Sequence, residues 1–185
     1  PFTLIAATTR IAMLSSPLRS RFSGGTFRLE FYSEEEIEEI IKRSAKILGI
    51  DVGSSASKEI AKRSRFTPRT ANYFLKRCRD FAQVSGGEIT EKTVTDTLEL
   101  LGIDEVGLSS SDRNLLTALI EKFGGGPVGL NTLGAALSEE QATIEEVHEP
   151  YLIQLGFIER TPRGRTATAK AYDHLKKKKP QGGLL

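Results

Sequence analysis

The chain opens in Phe2-Thr3-Leu4-Ile5-Ala6-Ala7, an almost unbroken apolar run that predicts a buried strand of a mostly parallel sheet. A single buried strand has no fold of its own, so the remaining strands are expected upstream of Pro1. Helical periodicity begins at Ser33, where Ser33 and Glu36 have capping-box spacing and three glutamates occupy the first turn, the positive end of a helix. Ile37, Ile40, Ile41 and Leu48 form its apolar stripe, and Gly49 is its stop. A shorter helix is expected around Lys58 to Ser64. Thr67-Pro68 then supplies an N-cap and a first-turn proline, followed by Ala71, Phe74, Leu75, Cys78 and Ala82 at helical spacing as far as Gly86-Gly87. Thr90 caps a last helix that carries Val94, Leu98 and Leu101 and closes at Gly102. Residues 33–105 therefore read as a small all-α domain.

Beyond it the pattern changes. A helix near Asp112 to Phe123 carries Leu115, Leu116, Leu119, Ile120 and Phe123, and Gly124-Gly125-Gly126-Pro127 leads to a short helix with Leu133, Ala136 and Leu137. Ser138 to Thr143 reads as a turn, and a third helix with Ile144, Val147 and Leu152 runs to Gly156. Phe157 to Arg160 and Arg165 to Thr168 flank Thr161-Pro162-Arg163-Gly164, which predicts a hairpin with a proline-glycine turn. Three helices followed by a basic hairpin is the order of a winged helix, so residues 106–175 read as an α+β nucleic-acid-binding module.

The 185 residues are 38% hydrophobic and 27% charged, which suits one or two globular domains and excludes collagen-like or disordered classes. No apolar run approaches the roughly 20 residues needed to cross a bilayer. One cysteine, Cys78, and two histidines, His148 and His174, leave no internal disulfide and too few ligands for a thiolate zinc site, so a reducing, cytoplasmic setting is expected. The net charge of +2 hides a strong asymmetry. Gly107 to Leu155 holds two basic and seven acidic residues, net −5, whereas Gly156 to Leu185 holds eight basic and two acidic, net +6. The basic end carries the hairpin, and residues 176–185, with Lys176 to Lys179, read as a solvated tail.

Chemistry-bearing residues are few, and most are arginines. Thr8 and Thr9 end the apolar run, and ligands of open parallel sheets sit beyond the carboxyl ends of strands. Arg19 and Arg21 follow behind Pro17-Leu18. Read alone they are either ordinary surface charges or arginines delivered to an anionic transition state by a neighbouring subunit. Arg69 follows Pro68 in a first helical turn, where an anion is favoured; its alternative is a carboxylate partner among Glu34 to Glu36. Arg160, Arg163 and Arg165 surround the hairpin turn, where guanidinium groups suit phosphates or a narrowed minor groove. Glu145, Glu146 and Glu149 oppose deep major-groove reading by the third helix.

Several of these segments together resemble the RuvB family of Holliday-junction branch-migration ATPases, of the AAA+ class. The matching pieces are Ala7-Thr8-Thr9-Arg10, Ser16-Pro17-Leu18-Arg19-Ser20-Arg21-Phe22, Leu29-Glu30-Phe31-Tyr32, Thr67-Pro68-Arg69, Arg77 to Val84, Phe123 to Leu130, Glu149 to Phe157 and Arg160 to Arg165. The resemblance implies a mainly α chain: residues 1–32 as the end of an AAA+ α/β large domain, 33–105 as the all-α lid, 106–175 as the winged helix. It implies that Thr9 is the sensor-one residue and Arg21 the arginine finger, with Arg19 as fallback. It makes Tyr32 a nucleotide contact at the hinge, Arg69 sensor two, and Arg160 and Arg165 DNA contacts. ATP or ADP with Mg2+ are the implied cofactors. Double-stranded DNA at Holliday junctions, RuvA, RuvC and five further copies in a homohexamer are the implied partners.

The chain departs from the family pattern at Gln141, where a basic residue is usual, at Phe66, where glycine is usual, and over Ser23 to Phe27. It contains no phosphate loop and no acidic Walker-B strand, so the magnesium ligands are not in it and alone it is expected not to turn over ATP. The reading from a different class is a stand-alone winged-helix DNA-binding regulator, and a third is a protein-binding adaptor.

Overall fold

The computed structural model describes residues 1–178, which fall into two units, Pro1–Phe31 and Tyr32 onward. The first holds a 3-10 turn, Ile11–Met13, and one short helix, α1 (Ser16–Ser20), with Pro17 in its first turn. The expected strand over Phe2 to Ala7 does not form: Phe2, Leu4 and Ile5 are exposed, and no described residue pairs with them. A strand is completed only by neighbours that accept and donate its backbone hydrogen bonds, and the described residues offer this segment none.

The second unit begins with four helices: α2 (Glu34–Leu48), α3 (Ser54–Arg63), α4 (Pro68–Ser85) and α5 (Glu91–Leu100). The capping box at Ser33 forms in both directions, with Ser33 accepting from the Glu36 amide and Glu36 accepting from the Ser33 amide, and Gly49 ends the helix in the left-handed conformation. Thr90 caps α5 through the Thr93 amide. Thr67 stands at the N-cap of α4, but its hydroxyl lies within hydrogen-bond distance of the Ser64 carbonyl, 3.3 Å, and the Thr70 hydroxyl, 2.9 Å, and caps no amide. The α3 helix starts at Ser54, four residues before the apolar pattern marks it. The four helices close on Ile37, Ile41, Ile60, Phe74, Leu75, Cys78, Val94 and Leu98. Leu101, expected in that stripe, lies past the end of α5 and is partly exposed.

A second core follows. It is built on α6 (Ser110–Glu121), α7 (Leu130–Leu137), α8 (Gln141–Thr143), a π-helical turn at Ile144–His148, α9 (Glu149–Gln154), the antiparallel strands β1 (Ile158–Thr161) and β2 (Gly164–Ala167), and α10 (Ala169–His174). The π turn lies just before Pro150, which has no amide to continue the ladder; the Glu149 amide reaches back to Ile144 instead. Val147, expected on the buried stripe, is exposed there. Helix α10 was not foreseen: it buries only Ala171 and Tyr172, too few positions to show a period. It also corrects the start of the expected tail, because the Lys177 amide bonds the Tyr172 carbonyl at 2.8 Å and its ammonium pairs with Glu121 at 2.6 Å. The rest of that tail, from residue 179, lies outside the described residues.

The two cores meet through short contacts. Arg65, just past α3, donates to Asp112 Oδ2 at 3.3 Å and to the Val147 carbonyl at 3.0 Å, and its guanidinium lies 4.6 Å from the centre of the Tyr151 ring. Phe66 meets the same ring edge-on, 6.0 Å between centroids. Gly107 has φ +81 and a Cβ there would lie 2.5 Å from the Arg63 carbonyl, so only glycine lets the link pass.

Candidate nucleic-acid interface

The hairpin fixes its arginines by register. Arg160 and Arg165 are direct partners across β1 and β2, and Thr161 pairs with Gly164. The Arg165 backbone also exchanges both hydrogen bonds with Val128, at 2.9 and 2.8 Å, which holds the second strand from its other side. Gly164 permits that approach: its φ is +135, and a Cβ would lie 2.3 Å from the Val128 carbonyl oxygen. The Thr161 hydroxyl donates to the Gly164 carbonyl at 2.8 Å and closes the turn, which presents Arg163 to solvent.

Two like charges directly across a strand pair repel, so the arrangement needs a counter-charge. Glu149, the first residue of α9 and buried to 1% exposure, supplies it. Its two carboxylate oxygens accept from Arg165 Nε and Nη2, a bidentate pair, and from Arg160 Nη2. Burial pushes the Glu149 carboxyl up, but the hydrogen bonds and charges of Arg165 and Arg160 outweigh it and hold the group below the usual carboxylate range. Glu145 adds a second, exposed carboxylate, 3.2 Å from Arg160 Nη2 and 3.9 Å from Arg165 Nη2. The three arginines thus differ in access. Arg163 is exposed, Arg160 is half exposed at 49%, and Arg165 is turned inward at 12%.

The residues expected to face a nucleotide lie elsewhere. In the first unit, Thr9 is exposed, and Arg21 is the exposed C-cap of α1, with Arg19 in its last turn. In the second, Tyr32 is half exposed immediately before the Ser33 cap, and Arg69 is exposed in the first turn of α4. Among the described residues no carboxylate of Glu34 to Glu36 pairs with Arg69, which leaves its fork open at the positive end of an 18-residue helix. Taken one by one, an exposed arginine fork suits phosphate oxygens and an exposed tyrosine ring suits an aromatic base. The cleft lined by Glu34, Glu35, Glu38, Glu59 and Glu91 also holds Lys58 and Lys62, but its carboxylates outnumber its ammonium groups, which disfavours a polyphosphate there.

Sequence reasoning missed the carboxylates. Glu149 and Glu145 appeared only as charges opposing DNA, because their partners lie 11 to 16 residues away and the pairing depends on register. It also missed Asp112, which accepts from the Ser109 amide and hydroxyl at 2.8 and 2.6 Å and meets His148 Nδ1 at 2.7 Å. The spacing of Ser109 and Asp112, a capping box, was the available signal.

A four-helix domain joined to a winged helix with a basic hairpin defines the class: a helical lid of the AAA type followed by a winged-helix module. Residues 32–104 match the family described as the RuvB AAA lid domain, and residues 105–176 match the RuvB C-terminal winged helix domain. The chain is 55% identical over 182 residues to the Holliday junction branch migration complex subunit RuvB of Koribacter versatilis (strain Ellin345), covering 98% of this chain and 50% of that one. It is 58% identical over 175 residues to the protein of the same name from Dehalococcoides mccartyi (strain CBDB1), covering 94% and 50%. Among solved structures, the Thermotoga maritima RuvB Holliday junction branch migration motor superposes with a TM-score of 0.86 at 50% identity, over 91% of this chain and 57% of that chain. A point mutant of Thermotoga maritima RuvB gives 0.91 at 51%, over 97% and 60%. The chain belongs to the RuvB family. It spans about half the length of the curated relatives it matches. No helix among the described residues is long and apolar enough to cross a membrane.

Proposed function

We propose that this chain is the lid and DNA-gripping part of an ATP-driven motor that moves Holliday junctions during recombination and DNA repair. The observation that carries this reading is the wing: three arginines on a two-stranded hairpin, pinned by a buried carboxylate, in a chain of RuvB ancestry. Arg160 and Arg163 face duplex phosphates, and Arg165 serves the interface through the Glu149 pair. Contact with the backbone alone carries no sequence information, which is what a translocating protein requires.

At the other end, Arg21 reaches across to the nucleotide of a neighbouring copy, Thr9 faces the γ-phosphate or its attacking water, and Arg69 and Tyr32 hold the nucleotide of their own subunit. ATP with Mg2+ supplies the free energy when bound, and the magnesium ligands belong to segments this chain does not contain. What these residues contribute is fixed positive charge where phosphate charge develops, together with a lid that follows nucleotide state. The assembly is a homohexamer working with RuvA and RuvC on double-stranded DNA at the junction. Hydrolysis needs the missing segments, so the chain by itself is inactive as an ATPase.

The test has two arms. For this chain, the slope of log affinity for a duplex against log salt falls by about one when Arg163 or Arg160 becomes alanine; an unchanged slope for both removes the wing from the interface. In a chain of the relatives' full length, Arg21→Ala cuts ATP turnover by about 10³-fold or more while nucleotide binding persists. Mixing that variant with one altered in the phosphate loop restores part of the turnover. Undiminished turnover in the Arg21→Ala protein overturns the finger assignment.

A further inference from the structure

Two carboxylates face the paired arginines of the wing, and their environments differ sharply. Glu149 is buried, takes both guanidinium groups, and has no route to solvent without dismantling the pair. Glu145, four residues earlier in the π turn, is 47% exposed and bonds Arg160 Nη2 from the solvent side at 3.2 Å. One and the same Arg160 nitrogen therefore donates to a fixed carboxylate and to an accessible one. A guanidinium has five N–H donors and suits carboxylate and phosphate oxygens alike, so an incoming phosphate can take the outer position without disturbing the inner one.

We propose that Glu145 is an intramolecular stand-in for a DNA backbone phosphate: it occupies the outward face of Arg160 in the free protein and is displaced when duplex binds, while Glu149 keeps Arg160 and Arg165 in place. This rests on the DNA-binding reading of the wing. Exchange of one anion for another keeps the charge-assisted bond count constant, so the arginine is delivered in a ready conformation and the net gain on binding is small. The displaced Glu145 also stays close to the phosphate backbone and repels it. Both effects weaken the grip, which favours release at each step of a protein that moves along DNA rather than staying on one site.

The experiment is a double-mutant cycle on the 185-residue chain, read as anisotropy of a fluorescein-labelled duplex of arbitrary sequence at several salt concentrations. Glu145→Gln, a change at an exposed position, is expected to tighten binding about two- to fivefold, the range for one exposed charge pair. The gain shrinks in the Arg160→Ala background, where the guanidinium that Glu145 occupied is gone and only its repulsion of the phosphate backbone is left to relieve. A gain of equal size in both backgrounds is a net-charge effect and overturns the proposal, as does no gain at all. If Arg160→Ala leaves binding unchanged, this inference fails, and if Arg163→Ala does so as well, the wing reading fails with it. If Arg160→Ala weakens binding and Glu145→Gln does not strengthen it, only the stand-in role of Glu145 fails.

Discussion

Cys78 lies in the middle of α4 with its side chain fully buried in the lid core. Burial pushes its thiol up to about 11, and a hydrogen bond with Thr97 offsets only part of that. The thiolate is the reactive form, so at pH 8 about one molecule in a thousand carries it, inside a packed core. The folded chain should therefore resist a thiol reagent such as dithionitrobenzoate at pH 8 and react with one equivalent after addition of urea. Stoichiometric reaction of the folded chain within the dead time of mixing would contradict the packing of α4 against α5. Arg65 shows a residue of the opposite kind. Its φ of +58 is costly for a side-chain-bearing residue, and it makes two hydrogen bonds and a ring contact across to the winged helix, which together outweigh that cost.

At the scale of elements, what could be read from the chain divides by the range of the forces involved. The α2 helix was legible from end to end because its signals are local: Ser33 and Glu36 bond each other three residues apart, and Gly49 ends the helix by its own backbone preference. The hairpin was legible to within a residue for the same reason, since Pro162 and Gly164 act at the turn itself. Phe2 to Ala7 failed because a strand belongs to a sheet, and apolar content alone cannot provide the partner. The π turn failed because it is a compromise between Pro150 and the packing of Ile144, not a preference of any residue in it. In the candidate site the arginines were legible as types and positions. Their carboxylate partners were not, because Glu149 meets Arg165 only once α9 has been laid against β2.

At the scale of the molecule, the lid and the winged helix have separate apolar cores, yet they are joined by a small polar cluster in which every member has a partner. Asp112 is its centre, fully buried and contacted by Ser109, His148 and Arg65. Burial pushes its carboxyl up, but the hydrogen bonds from His148 and Ser109 and the Arg65 charge win, leaving it below the usual carboxylate range. A group depressed in the folded state contributes stability that is complete above its unfolded value near pH 4 and is lost as pH falls through the folded value. The acid limb of the stability curve therefore carries an Asp112 component, which Asp112→Asn removes. The cleaner probe of the joint is Arg65→Ala, since Arg65 belongs to neither apolar core. It should cost about 2 kcal/mol, the range for hydrogen bonds to charged groups. The loss should fall on cohesion between the two domains, not on the cores, because each core keeps all its apolar contacts. Urea unfolding of the unaltered chain at pH 7 should give one midpoint by far-ultraviolet circular dichroism and by tyrosine fluorescence. In Arg65→Ala, made in a background with the lid tyrosines Tyr32 and Tyr73 changed to phenylalanine, the two probes should separate, with Tyr151 and Tyr172 reporting the winged helix while the helical signal is dominated by the lid. Coincident transitions in the variant, at an unchanged midpoint, would mean that the apolar contact of Phe66 with Tyr151 holds the domains together without the charged cluster.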